Sequence, residues 1–536
     1  MTLPSGSRRI SVWDRGCEGD AAKSRKPPAQ LSEEPEPAKP SPESRVKRKG
    51  LSVFLVILGA VLASPASASQ PVNTVQLIAW LTAGVPSSRL VRIVQEHGIA
   101  NLPGQEQIRQ LESAGADASL IRMVGNLKPS AAASPAILQI PAVLLQAAAD
   151  AHAQRFHQAE LALRQAASFD PQNAALHFAL GTMLRQQERW DDAIDEITLS
   201  AQLMPDFPEN HSTLAYIFYR LDDASDAIAE ARTALSMDPG NAEAYQFLGL
   251  SLFSNGQYGA AVHAFDESLV RDADNPDTYY DLGITLHASG NLPAAIAAYR
   301  QAIRLNGAFW EAHSNLALIL HEQNKLDEAI AEYREAKRLA PGEASVRNNL
   351  GNTYCDKGDF DDAMLELSEL YRQHPEWEQG HGCLARAYMS KKNYGNAVSE
   401  LQLAVLQNPT GAAEHRSLGE ALLLDDKLEE GVRELRLAVA LNPDSDTAHR
   451  DLGTALFQQQ QLAAAEKEFR EAIRLNASPD NHYSLAACLM TMDRYEEALS
   501  ELETAARLDP ERTLYRARRD ELRKLMQMQT KEPNAR

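Results

Sequence analysis

The sequence predicts an all-α protein organised as a solenoid of short helix hairpins, and three patterns lead to that prediction. A small residue, Gly or Ala, occurs eleven times between Ala147 and Ala486 at a step of 34 residues, except for a last step of 33. Another Gly or Ala follows each of these twelve residues later, and Pro closes eight of the copies. A hairpin of this length cannot bury both of its helix faces alone, so each copy needs a neighbour on either side.

The stretch Leu441–Asn476 shows one copy in its most regular form. Pro443 opens it, an apolar stripe at helical spacing follows, and the polar segment Gln458–Gln461 separates that stripe from a second one. Gly453 is predicted to lie where the two helices cross, because only Gly or Ala lets helix backbones approach closely. In the eight copies that have a Pro at the loop position, that Pro is predicted to end the second helix, since Pro lacks the N–H that a helix interior requires.

The first 68 residues are predicted to lie outside the folded protein. Residues 1–50 are polar and rich in Pro, which predicts a disordered leader. A basic segment, the apolar run 51–63 and a small-residue cleavage site predict a signal peptide over residues 51–68, because the run is short for a membrane span. The true start is either Met1 or near Val46.

The signal peptide predicts export to the periplasm or to the outside of the cell. The alternative is an uncleaved inner-membrane anchor that holds the solenoid outside the cytoplasm. Contact with a membrane is expected only if residues 51–63 stay attached.

The rest of the chain divides into four parts. Residues 71–128 contain four short segments with helical apolar spacing, which predict a small helical module. Residues 129–139 are rich in Pro, Ala and Ser and predict a linker. The eleven repeats follow over residues 140–512, and the charged helical segment 513–529 is predicted to cap the last of them.

Composition and motifs argue against nucleic-acid binding and against catalysis. The formal net charge of −20 is unsuited to binding phosphates. None of the four Cys forms a CxxC pair, so neither a disulfide framework nor a zinc site is predicted. Seven His recur at one position of the repeat, but adjacent copies are too far apart to share a metal ion, so each is interpreted as a flat, half-buried ring. With no nucleotide, metal or nucleophile motif, no enzyme, cofactor or small-molecule substrate is predicted.

These spacings resemble the tetratricopeptide repeat over residues 140–512. The resemblance implies a right-handed α-solenoid with a concave groove lined by the first helices of the hairpins. It also implies that the groove binds extended peptides or partner helices without catalysis. Leu370 and Gly431 depart from the pattern of the other copies, so we expect reshaped packing over residues 365–435.

Aromatic residues on the groove side of the early copies are the first candidates for partner binding. They are Phe178, Tyr216, Tyr219, Phe253 and Tyr280. Exposed aromatic side chains dominate the binding energy of many interfaces. Their alternative role is packing against the neighbouring first helix.

Three Asn and three Arg of the later copies form a second candidate group. They are Asn315, Asn349, Asn352, Arg386, Arg416 and Arg450. An Asn amide both donates and accepts hydrogen bonds, so a row of them can hold a peptide backbone, and the Arg fork fits a carboxylate. The alternatives are an ordinary solvated surface for the Asn and local ion pairs with Glu420 and Asp451 for the Arg.

The predicted function is therefore a protein–protein interaction scaffold or adaptor that binds protein or peptide partners in the groove. The alternative is an accessory subunit that supplies substrate recognition to a separately encoded enzyme, such as a glycosyltransferase or a protease. Capture of one catalytic protein would favour the accessory subunit, and capture of several structural or envelope proteins would favour the scaffold.

Overall fold

The computed structural model describes residues 71–127, 142–377 and 379–531. Within these ranges the chain forms 27 α-helices and no β-strand, and consecutive helices pack as hairpins. The prediction of an all-α solenoid of helix hairpins is confirmed. The leader, signal peptide and linker lie outside the described residues and stay predictions. Among the described helices, none is long and apolar enough to cross a bilayer.

The helices form two compact units, which meet in sequence between Ala308 and Phe309. The N-terminal unit begins with a module of four helices, where the sequence predicts one. These are α1 (Thr74–Thr82), α2 (Ser87–His97), α3 (Gln105–Ser113) and α4 (Ala118–Asn126). Helix α1 begins after Asn73, whose side chain accepts a hydrogen bond from the backbone of Gln76.

Five hairpins complete the N-terminal unit. They are hairpin 1, α5 (Ala142–His152) and α6 (Phe156–Phe169); hairpin 2, α7 (Ala174–Gln186) and α8 (Trp190–Leu203); hairpin 3, α9 (Pro208–Arg220) and α10 (Ala224–Met237); hairpin 4, α11 (Ala242–Ser254) and α12 (Tyr258–Arg271); and hairpin 5, α13 (Pro276–Ala288) and α14 (Leu292–Leu305). One apolar core runs from Val72 to Ala227. The module therefore shares its core with the first hairpins.

The C-terminal unit holds six hairpins and a last helix. They are hairpin 6, α15 (Trp310–Glu322) and α16 (Leu326–Leu339); hairpin 7, α17 (Ala344–Lys357) and α18 (Phe360–Gln373); hairpin 8, α19 (His381–Ser390) and α20 (Tyr394–Gln407); hairpin 9, α21 (Ala412–Leu424) and α22 (Leu428–Leu441); hairpin 10, α23 (Asp446–Gln458) and α24 (Leu462–Leu475); hairpin 11, α25 (Pro479–Thr491) and α26 (Tyr495–Leu508); and α27 (Thr513–Lys531). Tyr515 and Leu522 of α27 are buried, and α27 packs on α26.

The predicted close approach of the two helices in a hairpin is confirmed at the small residues. A Cβ added to Gly249 would lie 2.6 Å from the ring of Phe265, and one added to Gly453 would lie 2.7 Å from the ring of Phe469. Real Cβ atoms do not approach other atoms so closely, so these hairpins have no room for a side chain at the crossing.

The turn inside each hairpin contains one residue with a positive φ, in all eleven hairpins described. Three of these residues are Gly and eight carry a side chain: Gln154, Glu188, Asp222, Gly256, Gly290, Asn324, Gly358, Lys392, Asp426, Gln460 and Asp493. The left-handed conformation costs a residue with a Cβ roughly 1–2 kcal/mol. Seven of the eleven are Gly, Asp or Asn, which tolerate this conformation best. At the other four, Gln154, Glu188, Lys392 and Gln460, the packing of the two helices imposes the turn.

Helix α19 is the place where the repeat is reshaped, inside the range where the sequence predicts it. It has 10 residues, whereas the other first helices of the C-terminal unit have 13 or 14. Gly380, directly before it, has a φ of 98°, which a right-handed helix cannot contain. Leu370 of the preceding helix is fully buried.

Candidate functional site

Each first helix that carries the recurring His is fixed to the second helix of its own hairpin. In seven hairpins the His Nδ1 lies 2.5–2.7 Å from Oε2 of a Glu 19 residues later. The pairs are His177–Glu196, His211–Glu230, His313–Glu332, His381–Glu400, His415–Glu434, His449–Glu468 and His482–Glu501. The hydrogen bond to Glu196 raises the pKa of His177 above its ordinary value. The recurring Glu was visible in the sequence, as a carboxylate at a fixed distance from each His.

Other hairpins change the first of these positions or both of them. In hairpin 7, Arg347 donates from Nη1 to Oε2 of Glu366 at 2.9 Å, again across 19 residues. Where Tyr245 and Tyr279 stand in place of His, the second position is Ala. The His therefore belong to the clamps that hold each hairpin together and keep its first helix in place.

In the N-terminal unit, α1 of the module covers the first helices of hairpins 1 and 2. It packs against α5 and α7. The indole of Trp80 is fully buried and stacks on Phe207, with ring centroids 5.2 Å apart. Phe178 meets the same Phe207 ring edge-on, with centroids 5.1 Å apart. The chain's own helix thus fills the surface that a partner would need at these two hairpins.

A buried ion-pair cluster fixes α2 to hairpin 3. Arg89 of α2 pairs with Glu209 at the start of α9, and its Nη1 lies 3.6 Å from Oδ2 of Asp238. Arg92 lies 3.7 Å from the same carboxylate oxygen. Burial raises the pKa of the Glu209 carboxyl above its ordinary value, and the positive charge of Arg89 offsets part of that effect. The cluster closes the first-helix face at the start of hairpin 3.

The structure corrects the predicted aromatic surface at two positions. Phe178 is 4% exposed and Tyr280 is 5% exposed. The rings of Phe207 and Tyr299 pack against them. Both residues therefore belong to the core, which is the alternative that the sequence left open, and neither offers surface to a partner.

The other three aromatic candidates are half-buried and engaged by neighbouring side chains. The Tyr216 ring lies 5.1 Å from the guanidinium of Arg185 and 5.9 Å from that of Arg220. Arg220 also donates to the Tyr216 hydroxyl at 2.9 Å. Phe253 packs on a neighbouring tyrosine ring, with centroids 5.6 Å apart, and Tyr219 has an interaction of its own.

In the C-terminal unit, the Asn candidates lie half-buried on first helices. Asn315 lies on α15 and already has an interaction there. Asn349 and Asn352 lie on α17. Asn348 donates to the side-chain oxygen of Asn349 at 3.4 Å, and the side-chain amide of Asn352 makes no hydrogen bond within the described part of the chain. These two amides keep hydrogen-bonding capacity, since an Asn side chain has two donors and an acceptor oxygen.

Two of the three Arg candidates, Arg386 and Arg416, form ion pairs between neighbouring hairpins. The exposed Arg386 donates from Nη1 to Oδ1 of Asp356 at 2.9 Å. Arg416 donates from Nη1 to Oδ2 of Asp451 at 3.0 Å, and Nε of Arg450 lies 3.6 Å from Oδ1 of the same Asp451. The pairing with Asp451 agrees with the predicted alternative, whereas Asp356 was not anticipated. Two guanidinium groups share one carboxylate at Asp451.

Family comparisons match most of the repeat region. The family model described as the tetratricopeptide repeat matches residues 144–206, 212–276, 280–344, 417–482 and 450–513. A second model with the same description matches residues 320–382. No curated protein is similar enough to match the chain.

Three of the similar solved structures come from different sources. PilF of Pseudomonas aeruginosa is 20% identical, over 38% of this chain and 92% of its own, with a TM-score of 0.35. YrrB, described as a TPR protein with an unusual peptide-binding site, is 23% identical over 37% of this chain and 97% of its own, with a TM-score of 0.31. Yeast Tom70 is 15% identical over 73% of this chain and 97% of its own, with a TM-score of 0.32. At these TM-scores the likenesses carry no argument about function.

Proposed function

The chain belongs to the tetratricopeptide repeat family, and from that premise we propose that it binds an extended segment of a partner protein along the first helices of residues 315–450. In general terms the repeats make the chain a protein–protein interaction scaffold. The repeat is typical of non-catalytic scaffolds. The observation that carries the proposal is the polar face of the C-terminal unit, which is the accessible surface of its first helices. Its amides and guanidinium groups remain within reach of a partner, and they belong to Asn349, Asn352, Arg386, Arg416 and Arg450.

The polar face offers two kinds of contact to an extended peptide. Asn349 and Asn352 are spaced three residues apart on α17, so their amides point to the same side of that helix. Each amide is able to donate to one peptide carbonyl and accept from one peptide N–H. Arg416 and Arg450 share Asp451, so the trio keeps one net positive charge, which favours a partner segment that carries a carboxylate.

The decisive experiment compares two double variants with the same change in charge. Arg416→Ala with Arg450→Ala removes the shared pair on the first helices. Arg433→Ala with Arg436→Ala removes two exposed Arg from α22, the second helix of hairpin 9. Partners captured from an extract of the source cells by the full chain are quantified by mass spectrometry. The first variant is expected to retain a partner at least about tenfold less well, which is the value of one charge-assisted hydrogen bond.

Two outcomes contradict the proposal. Equal loss with both variants means that the partner responds to overall charge and not to the first-helix face. Undiminished capture by the first variant, together with undiminished capture by Asn349→Ala and Asn352→Ala combined, means that the partner binds elsewhere. The captured proteins also separate the scaffold from the accessory subunit, since a single catalytic partner indicates the latter.

We also propose that the solenoid acts outside the cytoplasm. Support comes from the basic, apolar and small-residue order of residues 45–68. Amino-terminal sequencing of the protein from its source cells tests this, and a mature chain that begins near residue 69 is expected. A chain that retains residues 51–63 in the membrane fraction would indicate the anchor instead.

A further inference from the structure

Two cysteines that are 28 residues apart in sequence meet between hairpins 7 and 8. Cys355 lies near the end of α17, and Cys383 is the third residue of α19. Both are free thiols, 1% and 8% exposed respectively. Their spacing in the sequence gave no sign of this contact, because it depends on how one hairpin packs on the next.

Each thiol contacts the backbone of the other cysteine's helix. The Cys355 thiol donates to the carbonyl oxygen of Cys383, with Sγ and O 3.3 Å apart. The Cys383 thiol points to the carbonyl oxygen of Gly351, one turn before Cys355, at 3.7 Å. The interaction between the two side chains lowers the pKa of Cys355, and together with burial it raises the pKa of Cys383. The contacts run in both directions, so the two side chains occupy one shared site.

The surroundings allow these sulfurs to close into a bond. A disulfide needs its sulfurs at about 2.05 Å and its Cβ atoms at about 3.5–4.5 Å, so both sulfurs have to turn from the carbonyl oxygens that they contact in the reduced protein. Cys383 stands in the first turn of the shortened α19, next to the exposed Gly382 and three residues after Gly380. Glycines at these positions let that backbone adjust at little cost.

We propose that Cys355 and Cys383 are a redox site, which forms a disulfide between hairpins 7 and 8 when a small-molecule disulfide is available as oxidant. One protein thiolate attacks the oxidant and releases one thiol, which leaves a mixed disulfide. The second protein thiolate attacks the protein sulfur of that mixed disulfide and releases the second thiol. The protein loses two hydrogens and the oxidant gains them, so electrons and atoms balance.

The bond would act on the polar face of the C-terminal unit. Arg386 donates from Nη2 to the carbonyl oxygen of Cys355 at 3.3 Å, and Asn352 precedes Cys355 by three residues on α17. The disulfide therefore joins the two hairpins that carry these candidates and fixes their relative position. The inference itself does not depend on the identity or existence of a partner.

The test uses the full chain with Cys17→Ser, so that three thiols remain, and Cys488 as the internal control. Cys488 is buried and contacts a backbone carbonyl, but no other Cys is described near it. The folded protein is incubated with oxidised glutathione, and a second sample is refolded in a glutathione redox buffer. The expected product is about 2 Da lighter, with two thiols lost and a peptide map that links Cys355 to Cys383.

Three further variants complete the experiment. Cys355→Ser and Cys383→Ser are each expected to abolish the 2 Da loss, and Cys488→Ser is expected to leave it unchanged. Oxidation is expected to raise the melting temperature of the C-terminal unit by about 5 °C in the Cys17→Ser parent and in its Cys488→Ser variant, because the bridge closes a loop in the unfolded chain. No rise is expected in the Cys355→Ser or Cys383→Ser variant. Three free thiols in both the incubated and the refolded samples would overturn the proposal, as would a bridge that includes Cys488.

Discussion

The first-helix faces of the two units differ in what covers them. In the N-terminal unit, α1 lies on hairpins 1 and 2 with Trp80 stacked on Phe207, and Arg89 fixes α2 to hairpin 3. In the C-terminal unit, the corresponding helices leave Asn349, Asn352 and Arg386 within reach of solvent. The same repeat frame therefore supports a face that is closed by the chain itself and a face that stays open.

The frame itself is the same in both units. The His–Glu clamp occurs in hairpin 2 and in hairpin 10 with the same 19-residue separation. The turn residue with positive φ occurs in every hairpin described. The difference between the faces thus comes from the positions that vary between copies and from the added helices α1 and α2. The repeats specify the helical framework, and the side chains at its variable positions decide whether a partner can bind there.

The largest expected effect comes from the residue that closes the N-terminal face. Trp80→Ala should destabilise the N-terminal unit by about 3–5 kcal/mol, because it empties a fully buried site between α1 and the first hairpins. Hydrogen exchange should show lost protection in α1, α5 and α7, and unchanged protection in α21–α26. Leu161→Ala, at a site that is 55% exposed, is the control and should change stability by less than about 0.5 kcal/mol. A Trp80→Ala protein as stable as this control would show that α1 is not held on the face.

A somewhat smaller effect is expected from the ion pair beneath α2. Arg89→Ala should cost about 3 kcal/mol of unfolding free energy, measured in urea, because it leaves the Glu209 carboxylate buried without its partner. Glu209→Gln in the same protein should recover part of the loss, since no charge is then buried. Recovery of the full wild-type unfolding free energy would mean that the ion pair only offsets the cost of burying its two charges and adds no net stability.

The same variant has a predictable pH dependence. Burial raises the folded-state pKa of Glu209 above its unfolded value. The folded state therefore binds a proton on this carboxyl at a higher pH than the unfolded state does. The deficit of Arg89→Ala is therefore largest above the folded-state pKa and shrinks as the pH falls toward about 4.3, the ordinary value for Glu. A deficit that grows on acidification would show that Glu209 is not the group responsible.

The smallest expected effect tests the part of the frame that the two units share. Gln460→Gly, at a φ of 61°, should stabilise the C-terminal unit by about 0.5–1 kcal/mol, because Gly adopts this conformation without strain. Gly256→Ala, at a φ of 72° and with open space around the Cβ, should destabilise the N-terminal unit by about 1 kcal/mol. Thermal unfolding measures both. Shifts of the same sign would show that the turn differs between the units.

The sequence by itself determined the repeat frame and hence the fold. Eleven small residues at one spacing required eleven helix crossings, and Gly249 and Gly453 lie at such crossings as expected. The departures from the pattern also located the reshaped packing at α19. These features follow from local spacing, since a helix crossing depends on residues within one hairpin and needs no knowledge of the neighbours. The same spacing argument could have predicted the Glu partner of each His, because His and Glu lie in the same hairpin.

Only the tertiary structure decided which face is open and which residues meet. The burial of Phe178 under α1, the pairing of Arg416 with Asp451, and the contact of Cys355 with Cys383 all join residues from different hairpins or from the module. Such contacts depend on how one element packs on the next, and periodicity within a repeat carries no information about that packing. For this reason the spacing alone predicted the solenoid. The tertiary structure was needed to correct the aromatic surface and to show that the proposed redox pair is in contact.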